Sequence, residues 1–137
     1  MLLPTDKNRI TKILIVDDMP ENAMVLRSFL APMGYHIDAV TRGEDALTMV
    51  EKNPPDVILL DIMMPGMNGF EVCRRLKQDP ETQHIPVVII TGMSDKETNI
   101  EAVKSGADDF LIKPFDRILL EARIKTSSKT KLLHDRL

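Results

Sequence analysis

Residues 57–77 read VILLDIMMPGMNGFEVCRRLK, and this stretch decides the fold. Val57-Ile58-Leu59-Leu60 is an unbroken run of aliphatic and β-branched residues. With no polar alternation, it predicts a strand buried on both faces, as in a parallel sheet covered by helices. The run closes on Asp61. A loop of Met, Pro, Gly and Asn follows. Asn68 and Glu71 then stand at the spacing of a capping box, ahead of Val72, Cys73 and Leu76 on one helical face. The unit is strand, loop, helix.

The same unit recurs on either side. Ile13-Leu14-Ile15-Val16, Val87-Val88-Ile89-Ile90 and the shorter Phe110-Leu111-Ile112 are also apolar throughout and predict further strands buried on both faces. His36-Ile37-Asp38-Ala39-Val40 is more polar and suits an edge strand. Helices are expected between them. Pro20 takes a first-turn position ahead of Ala23, Leu26, Phe29 and Leu30, and Gly34 is the stop. A second helix runs from about Glu44 to Lys52, with Ala46, Leu47 and Val50 inward, and Pro54-Pro55 ends it. Ser94 and Glu97 precede Ile100 and Val103 in an S-x-x-E pattern, with Gly106 as the stop. A last helix begins near Asp116 and runs toward the C-terminus. Strand–helix repeated five times predicts an α/β sheet with right-handed crossovers. A chain of 137 residues fits one such domain and is too short for an eight-unit barrel.

The polar residues that close these runs carry the chemistry. Asp17 and Asp18 follow the first run, Asp61 the third, Thr91 the fourth and Lys113 the fifth. In an open parallel sheet, ligands bind beyond the carboxyl ends of the strands. Residues far apart in sequence should therefore converge there. Three carboxylates in one pocket repel one another, and one tends to keep its proton. A hard divalent cation such as Mg²⁺ removes that conflict, taking carboxylate, water and phosphoryl oxygens. Lys113 adds a charge for a phosphate and Thr91 a hydroxyl donor. Together they make a site for phosphoryl transfer, in which one carboxylate can be the nucleophile. Singly, each residue is an ordinary turn, cap or surface residue. The joint pattern points to function.

At this point the residues resemble a family. ILIVDD (13–18), VILLDIMMPGMNGFEVCRRLK (57–77), IPVVIITG (85–92) and SGADDFLIKPF (105–115) are similar, in order and spacing, to the response-regulator receiver domains of two-component signalling. The resemblance covers roughly residues 10–128, with 1–9 a tail and 129–137 an extension of the last helix. It implies a doubly wound five-stranded parallel sheet, (βα)5, with the flavodoxin-like strand order 2-1-3-4-5.

The resemblance also implies roles. Asp61 is the phosphoacceptor. Asp18 and Asp61 bind Mg²⁺ directly, Asp17 acts mainly through metal-bound water, and the backbone carbonyl of Met63 completes the protein ligands. Lys113 pairs with the phosphoryl group. Thr91 hydrogen-bonds it and moves inward, and Phe110 turns into the space that Thr91 leaves. The face of the fourth helix, fifth strand and fifth helix then repacks. The expected donor is a histidine kinase or phosphotransfer protein, and the expected output is an attached domain, a partner protein or a phosphorylation-dependent homodimer. The chain is then a phosphoacceptor that assists its own phosphorylation and dephosphorylation rather than a turnover enzyme. Met63 and Met93 occupy the two positions that tune dephosphorylation in the family. Both are apolar, which predicts slow hydrolysis.

Other functions fit less well. An aspartyl-phosphate phosphatase on a related α/β sheet is the alternative, but such enzymes resemble D-x-D-x-T/V after the first strand, where this chain has DDMPE. A flavin carrier lacks its Ser/Thr-rich phosphate loop and stacking aromatics. With 18 basic and 21 acidic residues the net charge is −3, which argues against direct nucleic-acid binding by this chain. No apolar run of membrane-spanning length occurs, and MLLPTDKNRI does not read as a signal peptide. One Cys excludes an intrachain disulfide and suggests a reducing cytoplasm. His36, His84 and His134 have no metal-ligand spacing. Met19, Met63, Met64, Met67 and Met93 are expected as a partly exposed apolar rim near the site. The stretch KTSSKTK (125–131) reads as a solvated helix end, because a heptad through 118, 122, 125, 129 and 132 puts lysines at two core positions.

Overall fold

A computed structural model describes residues 10–92 and 96–135. The predicted tail 1–9, the Ser94 cap, Met93 and Leu137 lie outside the described residues. The strands are β1 (Lys12–Val16), β2 (His36–Val40), β3 (Val57–Asp61), β4 (Val87–Thr91) and β5 (Asp109–Ile112). The helices are α1 (Pro20–Leu30), α2 (Gly43–Lys52), α3 (Gly69–Gln78), α4 (Lys96–Lys104) and α5 (Arg117–Asp135), with one 3₁₀ turn at Ala31–Met33. All strand pairs are parallel, and their order is β2-β1-β3-β4-β5. This is the doubly wound α/β sheet expected from the sequence.

Period-two alternation divides the central strands between two cores. Leu14, Val16, Ile58, Leu60, Val87 and Ile89 face α2 and α3, where Ala46, Val50, Val72, Cys73 and Leu76 meet them. Ile13, Ile15, Val57, Leu59, Val88 and Ile90 face α1 and α5, against Leu26, Leu30, Leu120 and Ile124. Each such side chain stabilises the fold by roughly 1.5–3 kcal/mol of apolar burial. Because both faces are covered, the run Ile13 to Val16 of β1 and the strands β3 and β4 carry no polar residues until their C-terminal ends.

Local signals set the helix starts. Pro20 opens α1, where its missing N–H costs no hydrogen bond. The Asn68 side chain accepts the Glu71 N–H at 3.1 Å and caps α3. Glu71 does not return the second half of a capping box. Its carboxylate is held by Arg74 and Arg75 instead. Asp116 accepts the Leu119 N–H at 2.7 Å and caps α5.

In α4, Ile100 and Val103 are exposed and Ala102 alone is buried. Two expectations are corrected. β5 is not buried on both faces: it is the second sheet edge, and only Leu111 is buried. The C-terminal part of α5 is not wholly solvated, since the inner stripe Leu120, Ile124, Ser127, Lys131 stays buried. The physical reason is an anion beneath the stripe: Asp56 lies 3.8 Å from Lys131 Nζ.

Candidate functional site

The C-terminal ends of β1, β3, β4 and β5 bring Asp17, Asp18, Asp61, Thr91 and Lys113 to one edge of the sheet. Asp17, Asp18 and Asp61 each offer a carboxylate oxygen, and these atoms all lie within 4.8 Å of one another. Lys113 Nζ stands 3.7 Å from Asp61 Oδ1. The sequence-predicted carboxylates and lysine do converge.

Their surroundings differ. Asp17 is 4% exposed and is fixed by its neighbours: its Oδ1 accepts the Met19 N–H at 2.9 Å and the Asn22 amide at 3.3 Å. Those bonds also bend the chain into α1. Asp18 is half-buried, at the mouth of the pocket. Asp61 is 8% exposed, at the end of a strand whose other residues are all buried. Its pKa is pushed up from 3.8 to about 6, first by burial and then by the negative charge of Asp17, with Asp18 adding to it. Lys113 acts in the opposite direction and only partly offsets them. A pocket that holds its central carboxyl near neutrality in pH lacks positive charge. The donor set is all oxygen and anionic, which fits Mg²⁺, and a divalent cation there would supply the missing charge.

Thr91 is 3% exposed at the end of β4, and its carbonyl accepts the Lys113 N–H at 2.7 Å. The lysine is thereby tied to the threonine through the backbone. The Lys113–Pro114 peptide is cis. Phe110 pairs in register with Ile89, two residues before Thr91. By strand alternation, Phe110 and Thr91 therefore share the sheet face that carries α2 and α3. Phe110 lies at the surface, 36% exposed.

The loop after Asp61 is closed by a tight backbone contact. A Cβ added at Gly69 would lie 2.8 Å from Ile62 Cα, and the Gly69 N–H donates to the Ile62 carbonyl at 3.0 Å. A glycine eight residues after the aspartate lets α3 start against the strand end. Sequence reasoning quoted this glycine without a role, and it missed Asn22 altogether. Asn22 had no local signal, because its partner is made by the turn into α1. The expected methionine rim is corrected. Met64 is buried in the core and Met67 packs against it, while Met19 and Met63 are exposed at 52% and 66%. Beside Asp17 and Lys113, a cavity of about 260 Å³ opens between α1 and the β5–α5 loop, lined by Val25, Leu26, Phe29 and Phe115.

The model of the response regulator receiver domain matches residues 13–125. This chain belongs to the response regulator receiver domain family. It is 46% identical over 126 residues to response regulator PleD of Caulobacter vibrioides, a match covering 92% of this chain and 28% of that protein. It is 41% identical over 123 residues to a probable cyclic di-GMP phosphodiesterase of Vibrio cholerae, covering 90% of this chain and 28% of that protein. A solved structure of a putative response regulator from Chloroflexus aurantiacus superposes with a TM-score of 0.84 at 34% identity, covering 88% of this chain and 99% of that one. The chain thus spans just over a quarter of the length of these two curated relatives. Receiver domains of two-component systems are in general phosphoacceptors that bind Mg²⁺ at an acidic pocket, and Asp17, Asp18 and Asp61 form such a group here. Among the described residues, no helix is long and apolar enough to cross a membrane.

Proposed function

We propose that this receiver domain, residues 10–128, is a switch that takes a phosphoryl group on Asp61 from a histidine kinase or phosphotransfer protein. The observation that carries it is the three-carboxylate pocket with Lys113 3.7 Å from Asp61. In the transfer, an Asp61 carboxylate oxygen forms the new bond to phosphorus. The bond from phosphorus to the donor atom breaks, and the donor leaves with that electron pair. Asp18, Asp61 and the Met63 carbonyl would hold Mg²⁺, with Asp17 acting through its water. The ion supplies charge neutralisation for the incoming phosphoryl oxygens. Asp61 would be held ionised in that setting, as attack requires. Lys113 meets one phosphoryl oxygen.

Thr91 would donate its hydroxyl to another. A phosphoryl group adds about −1.5 to −2 charge, and it shifts the domain only by binding one state better than the other. Thr91 and Lys113 supply that difference. Phe110, on the same sheet face, would turn inward as Thr91 moves. The outward surface of α4, β5 and α5 fits an output face: Val103, Phe110, Ile112, Ile118 and Leu119 are all exposed there. Its occupant would be an output domain, a partner protein or a second copy. The last turns of α5, from residue 129 to Asp135, would extend beyond the receiver. The domain would work as a single-domain regulator or as the receiver of a larger protein, with no direct nucleic-acid contact of its own.

The test is incubation with Mg²⁺ and a small acyl phosphate, read by intact mass. One added phosphoryl group is expected, absent in Asp61→Asn and in the presence of chelator. Labelling that persists in Asp61→Asn would overturn the assignment.

A further inference from the structure

A second polar cluster lies at the opposite end of the sheet, where α5 ends. Lys131 is buried there, with Nζ 2.7 and 2.8 Å from the two oxygens of Asp135 and 3.8 Å from Asp56 Oδ1. Three residues on, the His134 ring stacks on that of His84, with centroids 4.1 Å apart and planes within 16°. His84 is half-buried in the turn between α3 and β4. The ring pair therefore joins the last turn of α5 to an element 50 residues away in sequence. The sequence offered no sign of it.

Stacked rings at this distance attract as neutral aromatic discs. As two imidazolium ions they would hold like charges about 4 Å apart. The neighbours add to the repulsion. Lys131 on α5 and Lys77 on α3 are cations acting on His84. The anions nearby are already engaged. Asp135 and Asp56 are held by Lys131, and Asp56 also accepts the Lys12 N–H at 2.8 Å. Asp108, before β5, is held by Lys77 at 2.7 Å. Burial, then His134 and Lys131, keep the His84 pKa below the ordinary histidine value, with Asp135 opposing them. A depressed histidine favours the docked state above the ordinary histidine range, and that preference is lost as pH falls.

We propose that the His84–His134 stack is a proton-sensitive latch, which seats the last turn of α5 on the α3–β4 turn while His84 is neutral and releases it when His84 takes up a proton. The latch sits at the far end of α5 from Lys113, so protons and phosphoryl groups would act on opposite ends of one helix.

Hydrogen–deuterium exchange of the α5 C-terminal amides tests it, compared at pH 8 and 5.5 after correction for intrinsic exchange. The wild type should exchange faster at pH 5.5 than at pH 8, because protonation of a histidine depressed in the docked state opposes docking. His84→Phe keeps a ring beneath His134 but cannot charge, and should lose this dependence. In an NMR titration, the His84 midpoint should rise in His134→Ala. A His84→Phe variant with the wild-type pH dependence, or a His84 midpoint unmoved by His134→Ala, would overturn the latch.

Discussion

Lys113 Nζ lies 3.7 Å from Asp61 Oδ1, an ion-pair distance longer than a hydrogen bond. The lysine attracts the carboxylate without saturating it, and Asp61 still titrates at about 6. A carboxyl group raised in the folded state contributes stability that is complete below its unfolded value and is lost as pH rises through the folded one. Ionised Asp61 therefore destabilises the metal-free domain at neutral pH. A shift from 3.8 to about 6 corresponds to ~3 kcal/mol at most, and solvent at the pocket mouth reduces this to about 1–2 kcal/mol. Asp61→Asn should raise stability by that amount at pH 7.5 in chelator, measured by urea unfolding. The advantage should shrink toward pH 4, where both states of the wild type are becoming protonated, and saturating Mg²⁺ should remove it.

The two N-terminal aspartates should separate by mutation. Asp17 accepts the Met19 N–H and the Asn22 amide, so it holds the start of α1 as well as the pocket. Asp18 makes no such bond among those described and stands half-exposed. Asp18→Ala should leave metal-free stability within about 0.5 kcal/mol, as for substitutions away from packed or hydrogen-bonded groups. Asp17→Ala should cost about 1–2 kcal/mol even without metal, because it strands a helix-entry donor. Both should abolish the Mg²⁺-dependent rise in melting temperature. Equal metal-free stability in the two variants would contradict this division.

How far the sequence was legible follows from the range of each interaction. β1, β3 and β4 were readable because each is a continuous apolar run, and a run buried on both faces is its own signal. Asp61 and Lys113 were readable because a strand end fixes where the next residue points. β5 misled, because Phe110-Leu111-Ile112 is equally apolar yet lies at the sheet edge, and its outward residues form a surface rather than a core. Met64 misled in the other direction: a loop methionine next to the exposed Met63 turned into the core. Lys131, His84 and His134 were hidden for a third reason. Their partners Asp56 and each other are set by where α5 crosses the sheet, which no local window contains.

Gly69 provides a packing test. A Cβ there would meet the backbone at Ile62 Cα, 2.8 Å away, and at the Asp61 carbonyl. Neither is a flexible side chain that could swing aside. Gly69→Ala should destabilise the domain by about 3 kcal/mol, the upper part of the range for overpacked sites. It should also impair phosphorylation beyond its effect on stability, since relief of the clash moves Asp61 itself. Wild-type labelling rate and stability in Gly69→Ala would show that α3 can start elsewhere.

Met63 offers a test of how long the phosphoryl group lasts. It is 66% exposed and stands two residues after Asp61. Hydrolysis needs a water aligned with phosphorus on the side away from the Asp61 oxygen, and a polar side chain at the mouth can orient it by hydrogen bonding. A thioether is too weak an acceptor to do so. Met63→Asn places a shorter side chain with an amide at that position, and exposure means no core is disturbed. The aspartyl-phosphate half-life, followed by intact mass after removal of the donor, should fall by about tenfold. The effect stays below that of full acid–base catalysis because an amide orients water without taking its proton. Met63→Leu, which is apolar and of similar volume, should keep the wild-type lifetime. If Met63→Asn and Met63→Leu decay at the same rate as the wild type, water access at this position does not limit hydrolysis.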